Sequence, residues 1–162
     1  MNLPDINILD PVECSTSLIV AFADTQSLAM KMAGASWNLW GTESRMVRGA
    51  LTLQRDSLAE AADQIAARLS HLGVEVPSSP GKIAALSGVV DFTGYRDRHV
   101  VRTLRDDHRM MARDLRDALE ECADDMATST ILAQRAAAHD AMGHQLDQIL
   151  CLCGSQSALA PA

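Results

Sequence analysis

The sequence predicts an all-α domain, and three observations predict it. Only 3% of the 162 residues are aromatic while Ala, Leu, Arg, Asp and Gln abound, and straight-chain side chains lose little rotamer freedom in a helix. Apolar residues recur at alternating spacings of three and four over long stretches, a pattern that gives each helix one buried stripe. The main breakers, Gly73, the run Pro77-Ser78-Ser79-Pro80-Gly81 and Asp124-Asp125, fall between those stretches. With 48% hydrophobic residues the chain is long enough for one well-buried core and too short for two ordinary domains.

The elements follow in order. Residues 1–14 read as an extended arm. Ser15 or Thr16 caps a first helix carried by Leu18, Ile19, Phe22, Leu28 and Met32 to a turn over Trp37 to Gly41. A second helix opens at Thr42 or Ser44, places Val47, Leu51, Leu58, Ala62, Ile65, Leu69 and Leu72 on one side, and is stopped by Gly73. At about 1.5 Å per residue it is long enough to span a four-helix bundle. Lys82 to Val90 predicts a short apolar helix inside a crossover. The third long helix buries Val101, Leu104, His108, Met111, Leu115, Ala118 and Cys122. After Asp124-Asp125, Thr128 or Ser129 caps the fourth, in which Leu132, His139, Leu146 and Cys153 recur every seven residues. The bundle spans residues 15–153, with a tail at 154–162. Two long helices, a connection with a short helix and two more long helices are the layout of a ferritin-like four-helix bundle with one crossover.

A net charge of −7, with Lys31 and Lys82 as the two lysines, disfavours attraction to nucleic acid or to an anionic membrane surface. The arm carries Asp5, Asp10 and Glu13, lacks the cationic and apolar regions of a secretory signal, and no window is apolar enough to span a membrane. The cytoplasm is the expected compartment, and Cys14, Cys122, Cys151 and Cys153 are expected to be free thiols there.

Two motifs carry a family resemblance. Ser36-Trp37-Asn38-Leu39-Trp40-Gly41 resembles the His-Trp-Asn-x-x-Gly turn, and Asp63-Gln64-Ile65-Ala66-Ala67-Arg68 the Asp-x-x-Ala-Glu-Arg helix, of the Dps family, the DNA-protection branch of the ferritins. Leu104-Arg105-Asp106-Asp107-His108, the segment from Asp125 to Leu132, and His139-Asp140 extend the resemblance in order, from about Ile19 to Leu150. The resemblance implies a hollow homododecamer that oxidises ferrous iron at sites shared by two-fold partners and stores the mineral inside, with the short helix at the dimer interface. It implies five ligand positions, which here hold Ser36, Arg48, Thr52, Asp63 and Ala67. Asp63 alone keeps the family's residue type. Iron oxidation needs several hard donors converging on the cation, so no oxidation is expected at the usual place. Across the two-fold, Arg48 can instead pair with Asp63. Thr130 stands where the family has a pore-lining Asp, and Asp124 and Asp125 are the remaining acidic pore candidates.

Other chemistry weighs less. His108, His139 and His144 are the candidates for a relocated metal site, set against the commoner buried histidine with a hydrogen-bond partner. Cys151-x-Cys153 lacks the two-residue spacing of structural zinc sites, which argues against an iron–sulfur cluster, and Met30, Met32, Met46, Met110 and Met111 read as packing residues, which argues against haem through Met46. Arg96, Arg98, Arg102, Arg105 and Arg109 form a basic run, but Asp97, Asp106 and Asp107 balance it, so DNA binding is not expected. The function expected is a Dps-like metal-sequestering cage with a degenerate oxidation centre; the alternative is a cage without iron chemistry.

Overall fold

The computed structural model describes the backbone of residues 11–40, 44–94 and 96–157. It forms α1 (Pro11–Asn38), α2 (Ser44–His71), α3 (Pro80–Leu86), α4 (Asp97–Glu121) and α5 (Met126–Ser157), with no strand among the described residues. α1 packs on α2 and α4 on α5, while the long crossover lays α3 against α1. This is the all-α, ferritin-like four-helix bundle. The arm at 1–10, Gly41, Thr42, the side chain of Cys153 and the tail at 158–162 lie outside the described residues. α1 starts at Pro11, before Ser15 and Thr16, and α5 runs on to Ser157.

The apolar stripes fill two clusters along the bundle. One joins Leu28, Met32, Val47, Leu51, Leu104, Met111 and Leu146; the other joins Leu18, Phe22, Ile65, Leu69, Leu115 and Leu132. Gly73, at φ +73°, ends α2 in a region that favours glycine. Its N–H donates to Ser70 O at 3.0 Å and that of Val74 to Leu69 O at 3.0 Å, the paired bonds that satisfy the last carbonyls of a helix.

Besides the earlier start of α1, four local expectations are corrected. The short helix is Pro80–Leu86, started by Ser79, whose Oγ accepts from Lys82 N at 3.2 Å. It stops before Val90 because the backbone turns extended at Ser87, where the buried Asp24 takes over: its Oδ1 accepts from Ser87 Oγ at 2.8 Å and from Gly88 N at 2.7 Å. Neither Thr128 nor Ser129 caps α5. Asp125 does, accepting from Ala127 N at 3.1 Å and Thr128 N at 3.2 Å, because its carboxylate reaches both orphan amides and Arg68 neutralises it. Cys14 and Cys122 are not free thiols: packing of α1 on α4 brings their Cα atoms to 5.0 Å, within disulfide range, and they are bonded. Asp107 does not balance the arginine run, since it points inward to Lys31.

That last contact organises the crossover. Lys31 Nζ lies 2.7 Å from Asp107 Oδ2, donates to the Val90 carbonyl, and sits 4.8 Å from the centroid of the Phe92 ring. Burial raises the Asp107 carboxyl above its ordinary range, and Lys31 opposes that rise. With side-chain exposures of 3% and 12%, neither partner can fall back on water. Lys31→Ala, which strands Asp107, is expected to lose about 3–5 kcal/mol in urea unfolding. The double variant K31M/D107L, which removes both charges, is expected to regain most of that loss.

Candidate functional site

Successive helical residues turn by about 100°, so Arg48, Thr52, Asp63 and Ala67 share one side of α2. All four are exposed. Asp63 follows Arg48 by fifteen residues, about 22 Å along the axis, so the two cannot meet within one chain. Thr52 Oγ1 donates to Arg48 O at 2.9 Å and Ser36 Oγ to Ala33 O at 2.8 Å; both hydroxyls bond back to their own helices. The same exposed surface of α2 carries Asp56 and Glu60, which the sequence reading missed although they continue at helical spacing between Thr52 and Asp63. Arg55 engages Asp56 at 2.9 Å. One carboxylate, two committed hydroxyls, a methyl group and a permanent cation do not fit the iron-oxidising centre that the resemblance implies.

Of the relocated-site candidates, the structure brings two together. His108 of α4 and His139 of α5 are 0% and 2% exposed, with Nδ1 to Nδ1 at 2.8 Å and rings tilted by 46°. Burial, then the charge of His139, drives His108 down to about 3. Burial, then Arg135, drives His139 down to about 4 against the opposing pull of Asp140. Both imidazoles are therefore neutral at pH 7, and one donates its Nδ1 proton to the other. His108 Nε2 has no protein partner, nor has Oε1 of the buried Gln54, whose Nε2 donates to Gln145 Oε1 at 2.8 Å. His144 stands apart, exposed, 3.2 Å from Gln148. No group of three or more His, Cys, Asp or Glu side chains converges as a metal site among the described residues.

The acidic pore candidates divide. Asp124 and Thr130 are exposed, and Thr130 Oγ1 donates to Met126 O at 2.7 Å. Asp125 belongs to the α4–α5 turn. Burial pushes its carboxyl up, but the Thr128 hydroxyl, Arg68 and the Thr128 amide outweigh that and hold it down at about 2. Arg68, the last residue of the second motif, also donates to Thr128 Oγ1 at 2.9 Å. Two arginines of the run pair with α5: Arg105 and Arg109 reach Asp147 at 3.1 and 2.7 Å, and Arg105 also binds Asp106 at 2.7 Å.

Several large apolar side chains are exposed. Trp37 and Trp40 are 67% and 80% exposed, and Met30, Met46, Leu53, Leu86 and Val90 are uncovered too. Met30 and Val90 border a cleft of about 610 Å³ between α1, α3 and the crossover. On the other side of α1, a groove of about 460 Å³ against α4 is bordered by Asp24, Asp114, Asp117 and Glu121 over Val20 and Leu115. Burial and the nearby Asp24 raise the Asp114 carboxyl.

No family model matches the chain. The bundle superimposes on the dodecameric thioferritin of Bacteroides fragilis with a TM-score of 0.86, over 94% of each chain at 15% identity. It superimposes on the Dps protein of Vibrio cholerae with a TM-score of 0.82, over 93% of this chain and 99% of that one at 20% identity. The fold is that of the Dps proteins. Antigen TpF1 of Treponema pallidum is 37% identical over 71 residues, 44% of this chain, so the match spans about two-fifths of that relative's own length. Its crystal structure gives a TM-score of 0.80 over 92% of this chain at 24% identity. In this Dps-type bundle no helix among the described residues is long and apolar enough to cross a membrane.

The neutral histidine pair gives the bundle a pH response of definite sign. The unfolded chain takes up protons below about 6.5, whereas the folded chain does not until about 4 at His139 and about 3 at His108. Stability therefore falls as pH drops from 6.5 towards 4, by up to about 1.4 kcal/mol per pH unit for each imidazole. Melting temperatures followed from pH 7 to 4.5 are expected to decline more steeply for the native chain than for H108L/H139L, in which neither imidazole remains to be charged.

Proposed function

We propose that this chain is a subunit of a closed Dps-type shell, a homododecamer that sequesters metal in the cytoplasm as part of oxidative-stress protection. Its intersubunit oxidation centre is reduced to Asp63. Iron is the substrate and cargo in this reading. The observation that carries it is a contrast: the Dps-type fold extends over nearly the whole chain, yet Ser36 at the end of α1 and Arg48, Thr52 and Ala67 on α2 hold the positions that the motif resemblance assigns to iron ligands. Direct DNA binding is disfavoured, because a net charge of −7 opposes approach to phosphate.

A second reading, a cage without iron chemistry, is favoured by one feature of the α2 surface. Arg48 and Asp63 lie on one side of α2 and about 22 Å apart along it, so two antiparallel copies of the helix would place each arginine beside the other copy's aspartate. Arg48 would then occupy the space of a cation and act as a clamp between subunits.

The purified full chain is expected to have a native mass of twelve subunits and to oxidise ferrous iron in air no faster than buffer does. S36H/R48H/T52D/A67E, which restores the donors, is expected to raise the rate at least about tenfold. Elemental analysis of the same samples separates the two readings: iron held by the native shell favours sequestration, and its absence favours the clamp. Rapid oxidation by the native chain would overturn the site assignment and direct attention to His108 and His139. A native mass of one subunit would overturn the shell.

A further inference from the structure

The Cys14–Cys122 disulfide joins the first turn of α1 to the C-cap of α4 across 108 residues of sequence. Its two sulfurs are placed differently. Cys122 is 2% exposed, whereas Cys14 is half-buried, so a thiol reagent approaches the bond from the Cys14 side. Cys14 also lies at a helix N-terminus, where the partial positive charge favours the thiolate. The bond is not needed to build the core: two apolar clusters fill the bundle, and disulfides are indispensable chiefly in chains too small for such a core.

The bond adjoins the turn from α4 to α5, since Cys122 is the C-cap of α4. The Cys122 carbonyl accepts from Asp125 N at 3.0 Å and from Ser129 Oγ at 2.6 Å. Asp125 in turn caps α5 and holds Arg68 of α2. The disulfide and then the hydrogen bonds of the Cys122 carbonyl thus connect the reachable sulfur of Cys14 to a turn on which three helices converge, next to the exposed Asp124 and Thr130.

We propose that Cys14 and Cys122 form a reversible thiol–disulfide site, oxidised by peroxide and reduced by dithiols, whose state sets the mobility of the α4–α5 turn. The consequence for metal passage through that turn rests on the shell reading; the redox site does not. In the oxidising direction the Cys14 thiolate attacks one peroxide oxygen, breaking the O–O bond and releasing hydroxide, and becomes a sulfenic acid. The Cys122 sulfur then displaces the second hydroxide, so two thiols and one hydrogen peroxide give one disulfide and two waters. In the reducing direction a dithiol's thiolate attacks Cys14 Sγ, Cys122 leaves and takes up a proton, and the second thiol of the reductant releases Cys14.

The test uses the full chain carrying C151S/C153S, so that the thiols counted are Cys14 and Cys122. Alkylation under denaturing conditions, read by intact mass, is expected to find none after hydrogen peroxide and two after dithiothreitol. Backbone hydrogen exchange over residues 122–130 is expected to be at least about fivefold faster in the reduced form, while α2 over residues 58–65 changes less than about twofold. C14S and, separately, C122A are expected to exchange like the reduced form whatever the oxidant. A pair that peroxide does not close or dithiothreitol does not open overturns the proposal, and so does equal exchange at the turn in the two states. The native mass of the same samples tests the shell separately: a single-subunit mass would remove the metal-passage consequence and leave the redox result standing.

Discussion

A buried ammonium holds the parts of this bundle in register. Lys31 stands on α1, pairs with Asp107 of α4, and reaches the crossover through the Val90 carbonyl and the Phe92 ring. α1 and α4 belong to different helix pairs, joined at their far ends by the Cys14–Cys122 disulfide, and Lys31 ties both to the crossover. Taking two ions out of water costs several kcal/mol for each, which makes the pair a poor source of net stability. Its effect is selective. Turning α1 by one residue would carry the lysine about 100° away and leave Asp107 buried without a cation. Asp24, seven residues earlier on α1, does the same with the opposite charge by capturing Ser87 and Gly88.

The same principle operates deeper in the bundle without any charge. His139 falls between the stretch of α5 that feeds one apolar cluster, ending at Ala136, and the stretch that feeds the other, beginning at Leu146. Facing it, His108 supplies the partner that an imidazole in such surroundings needs. The hydrogen bond is lost when both rings are protonated, because two adjacent imidazolium ions have no acceptor between them and would repel in a site that cannot hydrate them. A hydrogen bond between neutral groups contributes little net energy, yet leaving one of them alone costs more than making it. The two rings therefore specify how α4 faces α5 more than they tighten the contact.

What the sequence revealed and what it hid divide along a physical line. Helix lengths, buried stripes and the Gly73 stop depend on periodicity and local backbone preference, and both are present in a short window of residues. The pairing of Cys14 with Cys122 depends on two positions 108 residues apart meeting in space, and no window contains that. Asp125 was hidden as a cap because Thr128 and Ser129 follow it with equally good cap chemistry; Arg68, from another helix, decides between them. Asp107 sits among arginines in sequence yet turns to Lys31, since α4 presents its neighbours Asp106 and His108 to opposite environments. The candidate ligand positions were legible from motif resemblance alone. The common surface of the four on α2 came from helix geometry, Ser36 lies on α1, and neither source contains the second copy that would complete the site.

That second copy is implied by two properties of the surface taken together. Large aromatic side chains carry on the order of 150–250 Å² each, so two exposed tryptophans hold several kcal/mol of burial in reserve. Apolar area by itself accepts many partners. The charges on α2 are more selective, because Arg48 and Asp63 occupy one side of one helix at a separation that a single chain cannot close. A surface bearing both signs at a fixed spacing is complementary to itself when one copy is turned end over end, the condition for an isologous two-fold contact. A nucleic acid would satisfy the arginine and repel the aspartate, and a cation would do the reverse. Another copy of this chain would satisfy both, so the proposed assembly and the proposed loss of metal ligands rest on the same residues, Arg48 above all.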